Sequence, residues 1–406
     1  MKLPISTTLF LILINAISAF GLSQKEELCQ GLHPGVKIYK YYWDKEQSVF
    51  FVAEIDRKNS DLQLQVCIGQ DKVLGKETVP SIAQRKSKDG KKALVAINGG
   101  FGVLGDFGGL AGISHNLFVQ DGELISGPIP EDVCFGVTRN GRFLMGYLRM
   151  EAAVIFNNLK SGDFSHKIPI EAINNRMRGD QRRDYNSILY TPRFDHSTHT
   201  NDRVYEVVMT GAQIPLIPKY QSDVVLTSMG KEGDREIPPN GFVLSTRPRI
   251  YDDLFSQLQE GQRGKVEIRL EPDEWNDVVQ AIGGNYMLVE DGKLSKFMKE
   301  ILLSDRGHKP GRRHDNIVIS HEPRTALGFN DEKLFLIVVD GRQEGYSTGM
   351  TTYEVAQVLI ELGAKQAMNL DGGASSTFYA DGEVLNRPSG GDLRKVLNAV
   401  LIMNKL

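Results

Sequence analysis

A chain of 406 residues is longer than one ordinary core needs, so one large domain or two intimate ones is expected. Hydrophobic residues make up 41% and charged residues 24%, the balance of a soluble globular protein and not of a disordered or fibrous one. A formal net charge of -3 removes the electrostatic reason to expect nucleic acid as a partner.

The first residues, MKLPISTTLFLILINAISAFG, place Lys2 before an apolar run and small residues at Ala19 and Gly21. The run is too short to span a bilayer comfortably and has signal-peptide proportions, so residues 1–21 are expected to be a signal peptide. An uncleaved anchor is the alternative. Cleavage leaves a secreted or periplasmic chain with no stable membrane span. Three cysteines, Cys29, Cys67 and Cys134, are too few for a disulfide framework, although export would permit one bridge, with Cys67–Cys134 among the possible pairs. Their spacing is no metal signature.

Next in the chain, SVFFVAEID and DLQLQVCIG alternate apolar and polar residues as half-buried strands do, and KALVAINGGF is a buried-type run ending in glycines. Residues 157–201 are polar and rich in Arg and Asn, which predicts loops with short elements. RVYEVVMTG, GFVLSTRPRI and KVEIRLEP resume strand patterns. No helix stands out before Thr351, so the body is expected to be mainly β. Residues 22–95 read as an N-terminal β-rich segment packing on a catalytic domain over 96–406.

A weak internal repeat runs through that body. Ala96-Ile97-Asn98-Gly99-Gly100, Ala281-Ile282-Gly283-Gly284-Asn285 and Ala367-Met368-Asn369-Leu370-Asp371-Gly372-Gly373 each carry an apolar strand end into Asn or Asp beside paired glycines. Each is followed by another strand and an Asp-Gly turn, at Asp121-Gly122, Asp291-Gly292 and Asp381-Gly382, a hairpin signal because both residues tolerate positive φ. Glycine turns are common in β proteins, but three such copies point to a shared pocket rim.

The C-terminal part is the clearest. KLFLIVVD, ending at Asp340, is continuous in apolar residues and predicts a strand buried on both faces. Thr351 and Glu354 form a capping box, Val355, Val358, Leu359 and Leu362 recur at helical spacing, and Gly363 ends the helix. AKQAMNLD follows as a strand ending at Asp371. Strand, helix, strand predicts a right-handed crossover with parallel strands, and hence an α+β class of mixed, mainly β sheets with that crossover in the C-terminal part. Parallel strands would bring Asp340 and Asp371 to one rim.

Asp371 sits against Gly372, Gly373, Ser375 and Ser376, small residues that admit a ligand and hydroxyls that bond one, or else it caps its own turn. Asp340-Gly341-Arg342 offers an acid and a guanidinium, or a surface ion pair. Two rim carboxylates suit acid/base or nucleophilic glycoside cleavage, and equally suit Ca²⁺ or Mg²⁺. Arg324, directed by Pro323, matches phosphate oxygens. Residues 306–314 carry Arg306, His308, Lys309, Arg312, Arg313 and His314, a solvated loop or a lid over an anionic substrate. His308, His314 and His321 lack the compact spacing of a zinc site. Tyr190-Thr191-Pro192-Arg193 and the following FDHSTHTN are unusually polar for a strand connection, either an ordinary long loop or part of a site.

INGGF, QAIGGNYMLVEDGKL, PRTALGF, LIVVDGRQ, GMTTYEVAQVLIELGAKQAMNLDGGASSTF and LNRPS together resemble the phosphodiester glycosidase family, densely from Arg324 to the C-terminus and in order back to about Ala96. The resemblance implies a hydrolase that cleaves the anomeric C–O bond of a sugar-1-phosphodiester, releasing free sugar and a phosphomonoester. Asp371, Asp340 and Arg324 are then the expected catalytic residues, and Asn98, Gly99, Asn285, Arg342, Gly372, Gly373, Ser375 and Ser376 the expected substrate-binding residues. No cofactor is required on that reading, with Ca or Mg as the alternative. Two departures from the family pattern are Ala374, where Gly is usual, and Gly102, where a second aromatic is common. The expected setting is carbohydrate metabolism at a cell envelope or on environmental glycans. A metal-dependent phosphodiesterase and a non-catalytic anionic-glycan-binding protein are the competing classes. Label from heavy-oxygen water separates the glycosidase from the phosphodiesterase: sugar carries it after glycosidic cleavage, phosphate after phosphoester cleavage.

Overall fold

The computed structural model describes residues 24–43, 47–105, 110–158, 162–176, 184–201, 203–303 and 320–405. Among the described residues the strands assemble into four sheets, two of eight strands and two of five. One eight-stranded sheet runs, in spatial order, Gln24–His33, Val36–Trp43, Ser48–Asp56, Lys333–Val339, Arg324–Phe329, Gln366–Asn369, Met287–Glu290 and Lys293–Leu294. It therefore interleaves the first strands of the chain with the last ones. A five-stranded sheet centred on Ala93–Asn98, with Phe378–Ala380 and Asn398–Asn404 on its two sides, carries the INGGF stretch.

Lys333–Val339 shows why a continuous apolar run is needed at a sheet centre. Leu334, Leu336 and Val338 enter one core with Phe51, Leu327 and Phe378. Phe335, Ile337 and Val339 enter another, where Val355, Ala356, Val358 and Leu359 of the Thr352–Glu361 helix cover that face. With the period-two alternation of a strand, both faces are apolar because both are buried.

The α+β expectation is corrected here. Strands dominate, helices are few, and the fold is β-rich. Lys333–Val339 and Gln366–Asn369 do not pair with each other as parallel neighbours. Arg324–Phe329 lies between them, antiparallel to both. Periodicity identifies each strand but not its partner, and the short connection from Phe329 to Lys333 makes a hairpin that takes the place next to Lys333–Val339. One consequence survives the correction. Two strands antiparallel to the same neighbour run in the same direction, so their C-terminal ends meet the start of Arg324–Phe329 at one sheet edge.

Among the described residues three α-helices, Val79–Lys86, Asp252–Phe255 and Lys296–Leu303, precede Thr351, contrary to expectation. Val79–Lys86 is capped by Thr78, whose hydroxyl accepts from the Ser81 N–H at 3.4 Å, with Pro80 in the first turn and Arg85 and Lys86 in the last. Lys296–Leu303 follows the second Asp-Gly hairpin, at Asp291-Gly292. All three Asp-Gly pairs make tight turns, with φ of 52° and 85° at Asp121 and Gly122, 50° and 72° at Asp291 and Gly292, and 49° and 94° at Asp381 and Gly382. No Cys67–Cys134 bridge forms. The three cysteines are free thiols, Cys67 and Cys134 sit in different cores, and burial pushes the Cys67 thiol up to about 12. The leader at 1–21 and the basic loop at 306–314 lie outside the described residues. No helix among the described residues is long and apolar enough to cross a membrane.

The capping box forms as the sequence indicates. Thr351 Oγ1 accepts from the Glu354 N–H at 3.1 Å, and Glu354 Oε2 accepts from the Thr351 N–H at 2.7 Å. Thr351→Ala is expected to cost about 1 kcal/mol, lowering the urea midpoint at unchanged m-value, while Thr351→Ser stays near the parent. An Ala variant with the parent midpoint would show that the cap contributes nothing to stability.

Candidate active site

The shared edge opens into a cleft of about 500 Å³. Its floor is the turn after Gln366–Asn369: Asn369, Leu370, Asp371, Gly372, Gly373 and Ala374. Arg324, at the start of its strand, and Glu322 just before it form one wall, with Arg342, Arg394, Phe101 and Ser320 completing the lining.

The turn is held by hydrogen bonds from three directions. The Asp371 N–H donates to the Gly99 carbonyl at 3.0 Å, the Leu370 N–H to the Thr325 carbonyl at 2.9 Å, and the Gly373 N–H to the Pro323 carbonyl at 2.8 Å. Asn98 Nδ2 donates to the Asp371 carbonyl at 2.6 Å, and Asn98 Oδ1 accepts from Thr325 Oγ1 at 2.8 Å and the Thr377 N–H at 3.1 Å. Asn98 is fully buried, so its amide is a brace and not a ligand contact. Asn285 is likewise a support: its Oδ1 accepts from Asn369 Nδ2 at 2.9 Å. Gly99, Ser375 and Ser376 are buried behind the floor, with Ser376 Oγ 3.2 Å from Thr325 Oγ1. Of the three glycine repeats, only the third supplies the floor itself.

Asp371 is half-buried on that floor, and burial pushes its carboxyl up to about 6, against the pull of the Ser375 hydroxyl, the Arg394 guanidinium and the Gly372 N–H. Arg324 is also buried. Its Nε donates to the Met350 carbonyl at 2.8 Å and its Nη2 to the Ser320 carbonyl at 2.6 Å, which fixes the plane of the guanidinium. Burial lowers it to about 10, so it stays cationic at neutral pH. Arg342 has positive φ and bonds through Nε to Glu322 Oε2, and its guanidinium lies over Gly373. Gly373 itself has a φ of +63°, a conformation that admits glycine without strain.

Asp340 is placed differently. Its side chain is 1% exposed and is not part of the cleft lining. Oδ2 accepts from the Tyr346 hydroxyl at 2.9 Å, Oδ1 accepts from Asn386 Nδ2 at 2.9 Å, and the Arg387 N–H reaches both oxygens at 3.0 Å. Burial raises its pKa, while those donors pull it back. The arrangement ties the 386–387 segment to the end of Lys333–Val339. Phe101, Ser320, Glu322 and Arg394 line the cleft without being among the expected site residues, as do Asn369, Leu370 and Ala374 of the floor turn. Glu322 directly precedes PRTALGF, and a charged residue bordering such a stretch is a usable signal, whereas Arg394 lies five residues past LNRPS and carries none. Phe101 closes INGGF itself.

A β-rich body carrying an acid among three arginines at a sheet edge is the class this geometry defines. Residues 220–403 match the model of the phosphodiester glycosidase family. The N-acetylglucosamine-1-phosphodiester alpha-N-acetylglucosaminidase of Mus musculus is 30% identical over 118 residues, 29% of this chain and 22% of the relative. That of Bos taurus is 30% identical over 120 residues with the same coverage of 29% and 22%. The matched segment thus spans about a fifth of the length of these curated relatives. Among solved structures, a hypothetical protein from Synechocystis shares the fold at a TM-score of 0.70 and 20% identity, over 91% of this chain and 62% of that one. A putative exported protein from Burkholderia pseudomallei K96243 does so at a TM-score of 0.66 and 20% identity, over 87% and 74%.

The raised pKa of Asp371 has a stability consequence of definite sign. The folded protein holds this proton more tightly than the unfolded chain does, so the contribution is complete below the unfolded carboxyl pKa and is lost as pH rises through about 6. Asp371→Asn is therefore expected to be more stable than the parent by ~2 kcal/mol at pH 7.5, with no gain at pH 4, in urea titrations at the two pH values. Equal stability at both would refute the raised pKa.

Proposed function

We propose that the chain hydrolyses a sugar-1-phosphodiester at the anomeric C–O bond, releasing free sugar and a phosphomonoester. The observation that carries this reading is the half-buried Asp371 on a cleft floor that also presents Arg324, Arg342 and Arg394. Similarity to the family and to the mouse and bovine relatives, whose printed name is a phosphodiester N-acetylglucosaminidase, supports it.

The chemistry divides as follows. The phosphodiester carries one negative charge and its departing phosphomonoester two, so charge develops on the phosphate as the bond breaks. Fixed guanidinium groups meet that charge more strongly in the transition state than in the ground state. Arg324 is the firmest of these, because two backbone carbonyls already hold it. A phosphate leaving group needs little help from an acid. The remaining demand is at carbon, where Asp371, as a carboxylate, activates water or attacks directly. A carboxylate destabilised by burial is a stronger base than one in water. Glu322, engaged with Arg342, positions that arginine, and Asp340 holds the 386–387 segment from behind. This reading requires no metal. The leader-like first residues and the similarity to a putative exported protein support an exported enzyme acting on glycan phosphodiesters.

With a sugar-1-phosphodiester substrate, kcat/KM is expected to rise with pH through about 6 and then level, since the carboxylate is the working form. Asp371→Asn should lower kcat by roughly a hundredfold or more. In heavy-oxygen water, the label should appear in the sugar and none in the phosphate. Label in phosphate, or a near-parent rate in Asp371→Asn, would overturn the assignment.

A further inference from the structure

Asp195, His196 and His199, none of them part of the cleft lining, bring one ligand atom each within 4.8 Å of one another, a cluster found among the described residues. We propose that these three side chains form a binding site for zinc or a closely similar transition-metal dication. The inference is independent of the glycosidase reading.

Asp195 already gathers the donor atoms, one imidazole against each of its oxygens. His199 Nε2 lies 2.7 Å from Asp195 Oδ2, and His196 Nδ1 lies 3.3 Å from Asp195 Oδ1. Ligands on a tetrahedral zinc, with bonds of about 2.0–2.1 Å, stand roughly 3.3 Å apart. Small side-chain rotations that exchange imidazole–carboxylate contacts for bonds to an ion between them are all that the site requires. Two imidazole nitrogens and one carboxylate oxygen select zinc-like ions over Ca²⁺ and Mg²⁺, which take oxygen ligands.

The loop that presents these groups is built, not loose. Phe194 is 1% exposed, Ser197 5% and Thr198 1%, so the residue before Asp195 and the two before His199 are anchored inward while His196 and His199 face water. His199 has a φ of +50°, unusual for a residue with a side chain, and this turns its ring back towards Asp195 without a helix. Asp234 maintains that conformation. Its Oδ1 accepts from the His199 N–H at 3.0 Å and from Ser197 Oγ at 2.7 Å. A bound ion would close a ring from residue 195 to residue 199 and leave at least one coordination position to water, because His196 stands open to solvent.

The test is calorimetric titration of zinc chloride into the full, tag-free chain after EDTA treatment and dialysis, with calcium chloride in parallel. One zinc per chain and no calcium binding are expected. Zinc affinity should fall at least tenfold in an Asp195→Asn/His199→Gln double variant shown to be folded by circular dichroism, and likewise in His196→Gln, whose exposed side chain can be changed without disturbing packing. Zinc should also raise the melting temperature of the parent and leave that of the double variant unchanged. Failure of the parent to bind zinc, or parent-like affinity in His196→Gln and the double variant, would overturn the proposal.

Discussion

The side-chain amide of Asn98, sealed from water, is the contact on which the cleft depends. It sits at the end of a strand in the five-stranded sheet, accepts from Thr325 in the eight-stranded sheet, and holds the turn at both Asp371 and Thr377. Such an amide has no alternative partner in the core, so every bond it loses leaves a buried polar group unsatisfied. The two sheets are thereby fixed in relation to each other at the place where Asp371 must stand. The Asp371 N–H on Gly99 and the Leu370 N–H on Thr325 repeat the same link through the backbone.

Much of the fold was legible because it rests on local chemistry. The two-faced burial of Lys333–Val339, the Thr351–Glu354 box and the three Asp-Gly turns each follow from residue types at fixed spacing. What spacing does not encode is partner choice. The insertion of Arg324–Phe329 between two strands expected to be neighbours is settled by packing between segments distant in the chain. The Val79–Lys86 helix escaped because it is short, although Thr78 before Pro80 was a start signal in plain view.

The candidate site divides along the same line. Asp340 and Asp371 look alike in sequence, each an acid closing an apolar strand beside glycine. Their environments separate them. Asp340 is surrounded by donors from Tyr346, Asn386 and Arg387, which use both of its oxygens, whereas Asp371 meets fewer and faces the cleft. Arg324 and Arg342 reach the cleft as expected from their strand-end positions, but Glu322 becomes meaningful only through Arg342, twenty residues away in the chain. A carboxylate's role here is decided by how many N–H and O–H groups converge on it, and those come from remote segments.

The glycine pairs give the cleft two parts that must age differently. At Gly100 a side-chain carbon would stand 2.4 Å from the Gly283 carbonyl, and at Gly284 it would stand 2.4 Å from that of Asn369, so main chain rests directly on main chain beneath the floor. Nothing there can be exchanged for a bulkier residue without separating the sheets. Phe101 and Arg394, which line the cleft without belonging to its floor, are under no such steric bond. Divergence in what the cleft accepts is therefore confined to its border, and lineages that acquire new substrates would do so over an unaltered foundation.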